Sequence, residues 1–177
     1  LVYIKDEKAP QSVLKLSDML RYVMVDCQVD LISLEKEIKY IDAYIDFHQM
    51  SMENKSNVIF DKTIDNKDFK IPPMILQPLV ENSFKHSRLV NDPNGYVHFY
   101  IIQEKNSLMF IARNSINGLS SSLVDSNKRQ QAGLGLKNVK KRLELYYGKN
   151  YSFEVKQEDN SYVVTIKIGD KHDEKKV

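Results

Sequence analysis

One segment in the middle of the chain combines a helical apolar pattern with polar groups suited to binding a ligand. It reads Leu76-Gln77-Pro78-Leu79-Val80-Glu81-Asn82-Ser83-Phe84-Lys85-His86. Its apolar residues recur at intervals of three and four, which predicts a helix over residues 74–87 that packs on a sheet. Asn82, Lys85 and His86 stand at i, i+3 and i+4, and they therefore share a neighbouring face of that helix.

The chemistry of this polar face fits a phosphate group bridged by a metal ion. The amide oxygen of Asn82 can ligate Mg²⁺, a hard ion that tolerates neutral oxygen ligands. Lys85 and His86 can donate hydrogen bonds to phosphate oxygens. The alternative is an ordinary surface pair between Glu81 and Lys85, worth roughly 0.2–0.5 kcal/mol. The segment alone leaves both interpretations open.

The composition is that of an ordinary globular domain. Of the 177 residues, 42% are hydrophobic and 28% are charged, and 26 Lys+Arg against 24 Asp+Glu leave a net charge of +2. This balance, without a basic stripe interleaved with aromatic residues, argues against a nucleic-acid partner. The single cysteine, Cys27, excludes a disulfide framework and a cysteine-based zinc site. The chain begins with Leu1, and we expect it to be a piece of a longer protein.

The remaining pattern predicts an α/β sandwich. Two helices are expected in the first fifty residues, joined near residues 26–30, and the second has Ser33 as a candidate cap with Glu35 and Glu37 in its first turn. Later elements are a helix over 136–147 and strands near 58–64, 96–103, 107–113, 151–155 and 161–168. Because the strands are often consecutive, we predict a mixed, mostly antiparallel sheet with helices on one face.

A pair of glycines precedes the last predicted helix, in the segment Gly133-Leu134-Gly135-Leu136-Lys137-Asn138. The polar stretch before it, residues 114–132, is long for a simple connection and is typical of a functional lid. Glycines at the mouth of a helix let backbone N–H groups approach a phosphate, and the helix N-terminus adds partial positive charge. The alternative is that these glycines only end the loop.

Taken in order, these motifs resemble those of the LytS-like group of bacterial sensor histidine kinases over nearly all of residues 14–168. The similarity rests on four segments. They are Leu16 to Tyr22, similar to the second dimerisation helix; Leu34 to Glu37 with Tyr44 and Ile45, similar to the connecting helix; Ile71 to His86, similar to the N box; and Gly133 to Val139 with Arg142 and Leu143, similar to the G2 box.

The resemblance implies a GHKL-type ATP-binding domain, an α/β sandwich with a lid over residues 119–132, that takes ATP and Mg²⁺. It implies that Asn82 holds the metal and that the nucleotide is bound by Asn82, Lys85, His86, Asn114, Gly118, Gly133, Gly135, Leu136 and Asn138. Expected domains are a partial dimerisation region at 1–30, the catalytic domain at 31–170 and a tail at 171–177.

The same resemblance implies an activity and partners. The γ-phosphoryl group of ATP would pass to a histidine and then to a response regulator, in a homodimer formed through the dimerisation helices. The chain would be the cytoplasmic portion of an inner-membrane sensor protein. A degenerate nucleotide-binding or non-enzymatic signalling and dimerisation module is the alternative.

Two departures from the family pattern bear on activity. The adenine motif, usually Asp-Asn-Gly-x-Gly, reads Asn114-Ser115-Ile116-Asn117-Gly118. Asn114 keeps an acceptor oxygen but lacks charge, and a neutral hydrogen bond is worth about 0.5–1.5 kcal/mol against about 1.5–3 for a charged one. We therefore expect weaker adenine binding.

The second departure is the absence of the family's His-Phe-Leu-Phe-Asn phosphoacceptor motif. The four histidines present are His48, His86, His98 and His172, and none has the setting of a phosphoacceptor. We therefore expect this chain to bind ATP without phosphorylating itself.

Overall fold

The computed structural model of the chain describes residues 9–50, 52, 57–89, 92–116, 126–158 and 160–169. The helices are α1 (Ala9–Met24), α2 (Leu34–Gln49), α3 (Gln77–His86) and α4 (Ser126–Tyr147). The strands are β1 (Ile32–Ser33), β2 (Val58–Ile64), β3 (Lys70–Ile71), β4 (Val97–Glu104), β5 (Ser107–Ser115), β6 (Tyr151–Glu158) and β7 (Ser161–Ile168). A short 3-10 turn, Asp26–Gln28, lies between α1 and β1.

Five of the strands form one sheet in the order β2-β4-β5-β7-β6. Strand β2 runs parallel to β4, whereas the other three neighbouring pairs are antiparallel. The short strands β1 and β3 form a separate antiparallel pair in which Ile32 lies opposite Ile71. The prediction of a mixed, mostly antiparallel sheet in an α/β fold is confirmed.

One face of the large sheet forms the core, because side chains alternate between the two faces of a strand. In β4 the side chains of Val97, Phe99 and Ile101 are buried, and those between them are half-buried. The rings of Phe99 and Phe110 stack with 6.1 Å between their centroids. Helices α3 and α4 contact each other and strands of this sheet, and their buried apolar residues are Leu79, Val80, Val139 and Leu143.

Helix α1 packs on α2 but buries little of its own surface. Among the α1 side chains that the structure describes, only Tyr22 is buried. Met19 is half-buried and packs against the core. Six other large apolar residues of this helix are exposed, and they are Val13, Leu14, Leu16, Leu20, Val23 and Met24. Most of the described apolar surface of α1 therefore lies outside the core of this chain.

Two boundaries differ from the prediction because local geometry and helix propensity outweigh the apolar pattern. Helix α3 begins at Gln77 rather than 74, since the residues before it follow two prolines and Met74 has a φ of 54°. Helix α4 begins at Ser126, so the loop predicted over residues 126–132 is wrong. That stretch lacks apolar periodicity, but its Lys, Arg, Gln and Ala residues favour a helix.

Within the described ranges, no helix is both long enough and apolar enough to cross a membrane.

The packing of α4 can be tested with two leucines on one helix. Leu143 is fully buried, whereas Leu145 is 79% exposed. We expect Leu143→Ala to lower the free energy of unfolding by about 2–5 kcal/mol, because it leaves a cavity against the sheet. The matched variant Leu145→Ala should change it by no more than about 0.5 kcal/mol. Urea unfolding measures both, and equal losses would contradict this orientation of α4.

The stack between α2 and α3 makes stability depend on pH. The ring of His48 lies parallel to that of Phe84 at 4.6 Å between centroids, and burial lowers the pKa of His48 despite the nearby Glu81. Between the lowered folded pKa and the unfolded value of about 6.5, the unfolded chain binds a proton that the folded chain does not. Stability contributed by neutral His48 is therefore present above that unfolded value and is lost as the pH falls.

Burial also lowers the pKa of His86 and His98, so the histidines together lower the urea midpoint at about pH 5.5 relative to about pH 7.5, whereas the buried Glu37, whose pKa burial raises, acts in the opposite direction. His48→Phe keeps a stacked ring but removes one titrating group, and it should reduce this pH dependence. An unchanged dependence in His48→Phe would show that His48 has no part in it.

Candidate functional site

Helix α3 brings the three predicted polar residues together above the sheet. Asn82, Lys85 and His86 lie in its second half, and their spacing places them on one side of the helix. Asn82 is half-buried, while Lys85 and His86 are exposed. Helix α3 itself contacts both β5 and α4.

The polar groups of α3 are not paired with one another. Within the described part of the chain, no hydrogen bond or ion pair joins Asn82, Lys85 or His86 to another side chain. Glu81 instead accepts a hydrogen bond from Gln77, with 3.1 Å between Nε2 and Oε2. The alternative of a Glu81–Lys85 surface pair is therefore not observed, and the amide, ammonium and imidazole groups are free to meet a ligand.

The charges on this face suit an anion. Partial desolvation and the neighbouring Lys85 lower the pKa of His86. The imidazole is therefore neutral at pH 7 and can donate one hydrogen bond, while Lys85 supplies the charge. Lys137 and Asn138 of α4 are exposed as well.

Asn114 lies deeper, on the face of the sheet that the helices cover. It is 1% exposed, near the end of β5, and it pairs with Val97 of β4 and Tyr162 of β7 in the ladder. Its Nδ2 donates to the carbonyl oxygen of Ser115 at 3.1 Å. This bond directs the donor side of the amide toward the backbone and so fixes the orientation of the side chain.

Ser115 and Gly95, for which the sequence predicted no such role, hold the chain just after the end of α3. The Oγ of Ser115 accepts hydrogen bonds from the backbone N–H groups of Arg88, at 3.3 Å, and Tyr96, at 3.0 Å. A Cβ atom at Gly95 would lie 2.5 Å from the carbonyl carbon of Arg88, so only glycine fits this approach. The residues Asp92-Pro93-Asn94-Gly95 are typical of a turn, but a local pattern does not reveal the close approach that requires the glycine.

The glycine segment does not have the predicted geometry. Gly133, Gly135 and Leu136 lie inside α4, several residues after its start at Ser126, so the prediction that the glycines open the helix is wrong. Backbone N–H groups inside an α-helix donate to carbonyl groups four residues earlier, and here they are not free for phosphate. A Cβ atom at Gly135 would meet nothing within 4 Å. Gly118 lies outside the described residues.

The available ligand atoms determine whether a divalent cation can bind at this site. The described residues contain no group of three His, Cys, Asp or Glu side chains that could hold a metal ion. On the candidate face of α3, Asn82 offers one neutral oxygen. Mg²⁺ keeps several waters and is commonly held by few protein ligands together with substrate phosphates. The site therefore fits Mg²⁺ only as part of a metal–phosphate complex.

Two family models match the chain. A histidine kinase model matches residues 1–56, and a GHKL domain model matches residues 73–169, more than half of the chain. The LytS sensor protein of Staphylococcus epidermidis (strain ATCC 12228) is 25% identical over 174 residues, and that of Streptococcus agalactiae (strain ATCC BAA-611) is 26% identical over 176. The two alignments cover 95% of this chain but 29% and 30% of those relatives, so the chain spans about 30% of their length.

Solved structures share the fold at lower identity. The nucleotide-free catalytic domain of histidine kinase ThkA superposes with a TM-score of 0.54 at 18% identity, covering 78% of this chain and 95% of that one. The histidine kinase domain of the blue-light activated kinase EL346 of Erythrobacter litoralis gives 0.54 at 13% identity, covering 90% and 73%. ThkA in complex with response regulator protein TrrA gives 0.50 at 15% identity, covering 96% and 53%.

These matches extend over the N-terminal helices and the sheet alike, and the chain belongs to the GHKL family of histidine kinase catalytic domains.

Proposed function

We propose that this chain is the ATP-binding catalytic part of a two-component sensor histidine kinase. It would transfer the γ-phosphoryl group of ATP to a histidine supplied by a segment that precedes it in the parent protein. The observation that carries the proposal is one side of α3, where an amide, an ammonium and an imidazole stand together without a side-chain partner among the described residues. The family membership and the LytS relatives support it.

Each candidate residue has a role in this proposal. Asn82 offers its amide oxygen to Mg²⁺, and the metal, when bound, neutralises phosphate charge. Lys85 and His86 hold and orient the phosphates. Asn114 would accept a hydrogen bond from the adenine amino group through its amide oxygen, since its nitrogen is bound to the backbone.

The glycine segment would complete the phosphate site. Gly133, Gly135 and the backbone at Leu136 would cradle the phosphates, with Gly118 and Asn138 nearby. In the present conformation the N–H groups of that segment lie inside α4. The proposal therefore requires the first part of α4 to change conformation when a nucleotide binds.

The proposal includes two partners, a second copy of the chain and a response regulator. The exposed apolar face of α1 fits a homodimer built through the dimerisation helices of the parent protein. The complex of the structural neighbour ThkA with a response regulator supports a response regulator as the acceptor of the phosphoryl group. The chain would work in the cytoplasm, where ATP is available, as part of an inner-membrane sensor protein, and the similarity to the sensor protein LytS supports a sensor role.

The proposal predicts binding of Mg-ATP that depends on Asn82. Isothermal titration calorimetry of the wild-type chain should detect binding at millimolar ATP, with Mg²⁺ present. Asn82→Ala should weaken it by at least about tenfold, because it removes the one protein oxygen placed for the metal. Asn94→Ala, in the exposed turn before β4, is the matched control and should bind like wild type. Absence of any wild-type binding would favour the non-enzymatic alternative.

The apolar face of α1 predicts self-association. Leu20 is 52% exposed on that face, and Leu20→Glu should shift the chain toward monomer by burying a charge in the interface. Analytical ultracentrifugation over a concentration series measures the change. Leu145→Glu places the same charge on α4 at a residue that is 79% exposed, and it should leave association unchanged. A wild-type chain that stays monomeric, or a dimer unaffected by Leu20→Glu, would contradict this role of α1.

A further inference from the structure

One carboxylate is completely buried between three helices. Glu37 of α2 is 0% exposed. It accepts hydrogen bonds from the hydroxyl of Tyr22 and from the backbone N–H groups of Met74, Leu76 and Gln77. A carboxylate without partners is too costly to bury, so this position depends on those donors.

Two of these donors, at Leu76 and Gln77, lie at the start of α3, where no local side chain acts as a cap. The residue at the N-cap position is Leu76, whose side chain makes no capping bond. Glu37 supplies the missing acceptor from another helix, with Oε1 at 3.0 Å from the nitrogen of Leu76 and 3.4 Å from that of Gln77. The partial negative charge of these acceptor oxygens also complements the helix dipole. Glu37 thus performs for α3 what a local Ser or Asp does for other helices.

The same carboxylate fixes the turn that leads into α3. Its Oε2 accepts from the nitrogen of Met74 at 2.8 Å, and Met74 has a φ of 54°. A residue other than glycine adopts this conformation only where surrounding contacts hold it. The direction in which the chain enters α3 therefore depends on Glu37.

The fourth donor comes from α1. The Tyr22 hydroxyl donates to Oε2 of Glu37, and its ring stacks on that of Tyr40 with 4.6 Å between centroids. Burial and the adjacent Glu37 raise the pKa of Tyr22 well above its usual value, so the phenol keeps its proton and acts as the donor. Among the described side chains of α1, Tyr22 is the buried one, and its hydroxyl links that helix to the carboxylate that caps α3.

We propose that Glu37 is a positioning residue for the nucleotide site. Its hydrogen bonds to the start of α3 depend on the position of α1, because the Tyr22 hydroxyl of α1 also donates to Glu37. Asn82 stands six residues after the capped Leu76, and Lys85 and His86 follow within one further turn. A displacement of α1 that withdraws the hydroxyl removes one of the four donors from a buried carboxylate. The start of α3 must then adjust, and the polar face of α3 moves with it.

This inference rests on the proposed function, because it assumes that α3 binds Mg-ATP. Tyr22→Phe is the least disruptive test of this inference, because the substitution keeps the stacked ring and removes only the hydroxyl. In the full 177-residue chain, calorimetry should show a Kd for Mg-ATP raised by about three- to tenfold, the range expected for one hydrogen bond. Glu37→Gln should weaken binding in the same direction and further. Tyr40→Phe removes a hydroxyl from the partner ring, which is not a donor to Glu37, and should bind like wild type.

Two measurements separate positioning from a loss of stability. A change in stability alone lowers the thermal midpoint but leaves the Kd unchanged at a temperature where the chain is folded by circular dichroism. If Tyr22 acts through α3, its effect on the Kd should also shrink in the Lys85→Ala background, because neighbouring parts of one site are not additive.

The outcomes distinguish the two proposals. Wild-type binding together with an unchanged Kd in Tyr22→Phe overturns the positioning role and leaves the proposed function intact. Full additivity with Lys85→Ala overturns it as well. Absence of Mg-ATP binding by the wild-type chain overturns the proposed function, and the positioning role with it. Should Glu37→Gln fail to fold, Tyr22→Phe carries the test alone.

Discussion

The hydrogen bonds of Glu37 hold together parts of the chain that are far apart in sequence. The carboxylate belongs to α2, its backbone donors precede and begin α3, and its hydroxyl donor belongs to α1. Without this group, α3 would start at an apolar residue with unsatisfied N–H groups in a buried setting, at a cost of about 1–3 kcal/mol for each donor. The helix that carries the candidate nucleotide site therefore depends on a residue outside it.

Both ends of α3 are fixed in this way by side chains from other elements. At the start the acceptor is Glu37, and just after the end it is the Ser115 hydroxyl, which binds the backbone of Arg88. Between these anchors, Leu79 and Val80 are buried in the core. A short helix with two fixed ends and an apolar underside can present Asn82, Lys85 and His86 without using them for its own stability. This explains why these three groups have no partners within the described residues.

How far the sequence predicted this arrangement depends on the range of the interaction. The positions along the chain of the five strands of the large sheet and the shared face of α3 follow from periodicity, which is a local property, and the sheet type follows from the succession of strands. Glu37 was assigned to the first turn of α2, beside a cap at Ser33, yet it is fully buried and Ser33 makes no side-chain cap. Its function depends on Met74 and Leu76, almost forty residues later, and no local pattern encodes that contact. The approach of Gly95 to Arg88 was missed for the same reason.

Gly133 and Gly135 of α4 show a different limit of prediction from sequence. A Gly-x-Gly pair permits two backbone states, and the sequence alone does not select between them. Each glycine destabilises a helix by about 1 kcal/mol relative to alanine, so α4 is weakest around Gly133 and Gly135. Among the described atoms, none lies within 4 Å of where a Cβ of Gly135 would stand. The residues that would let the backbone approach a phosphate are therefore also those that lower the cost of unwinding the first part of α4. One sequence can therefore form a helix at this position and a phosphate cradle in the proposed nucleotide-bound state. Gly133 and Gly135 reduce the free-energy difference between these two conformations.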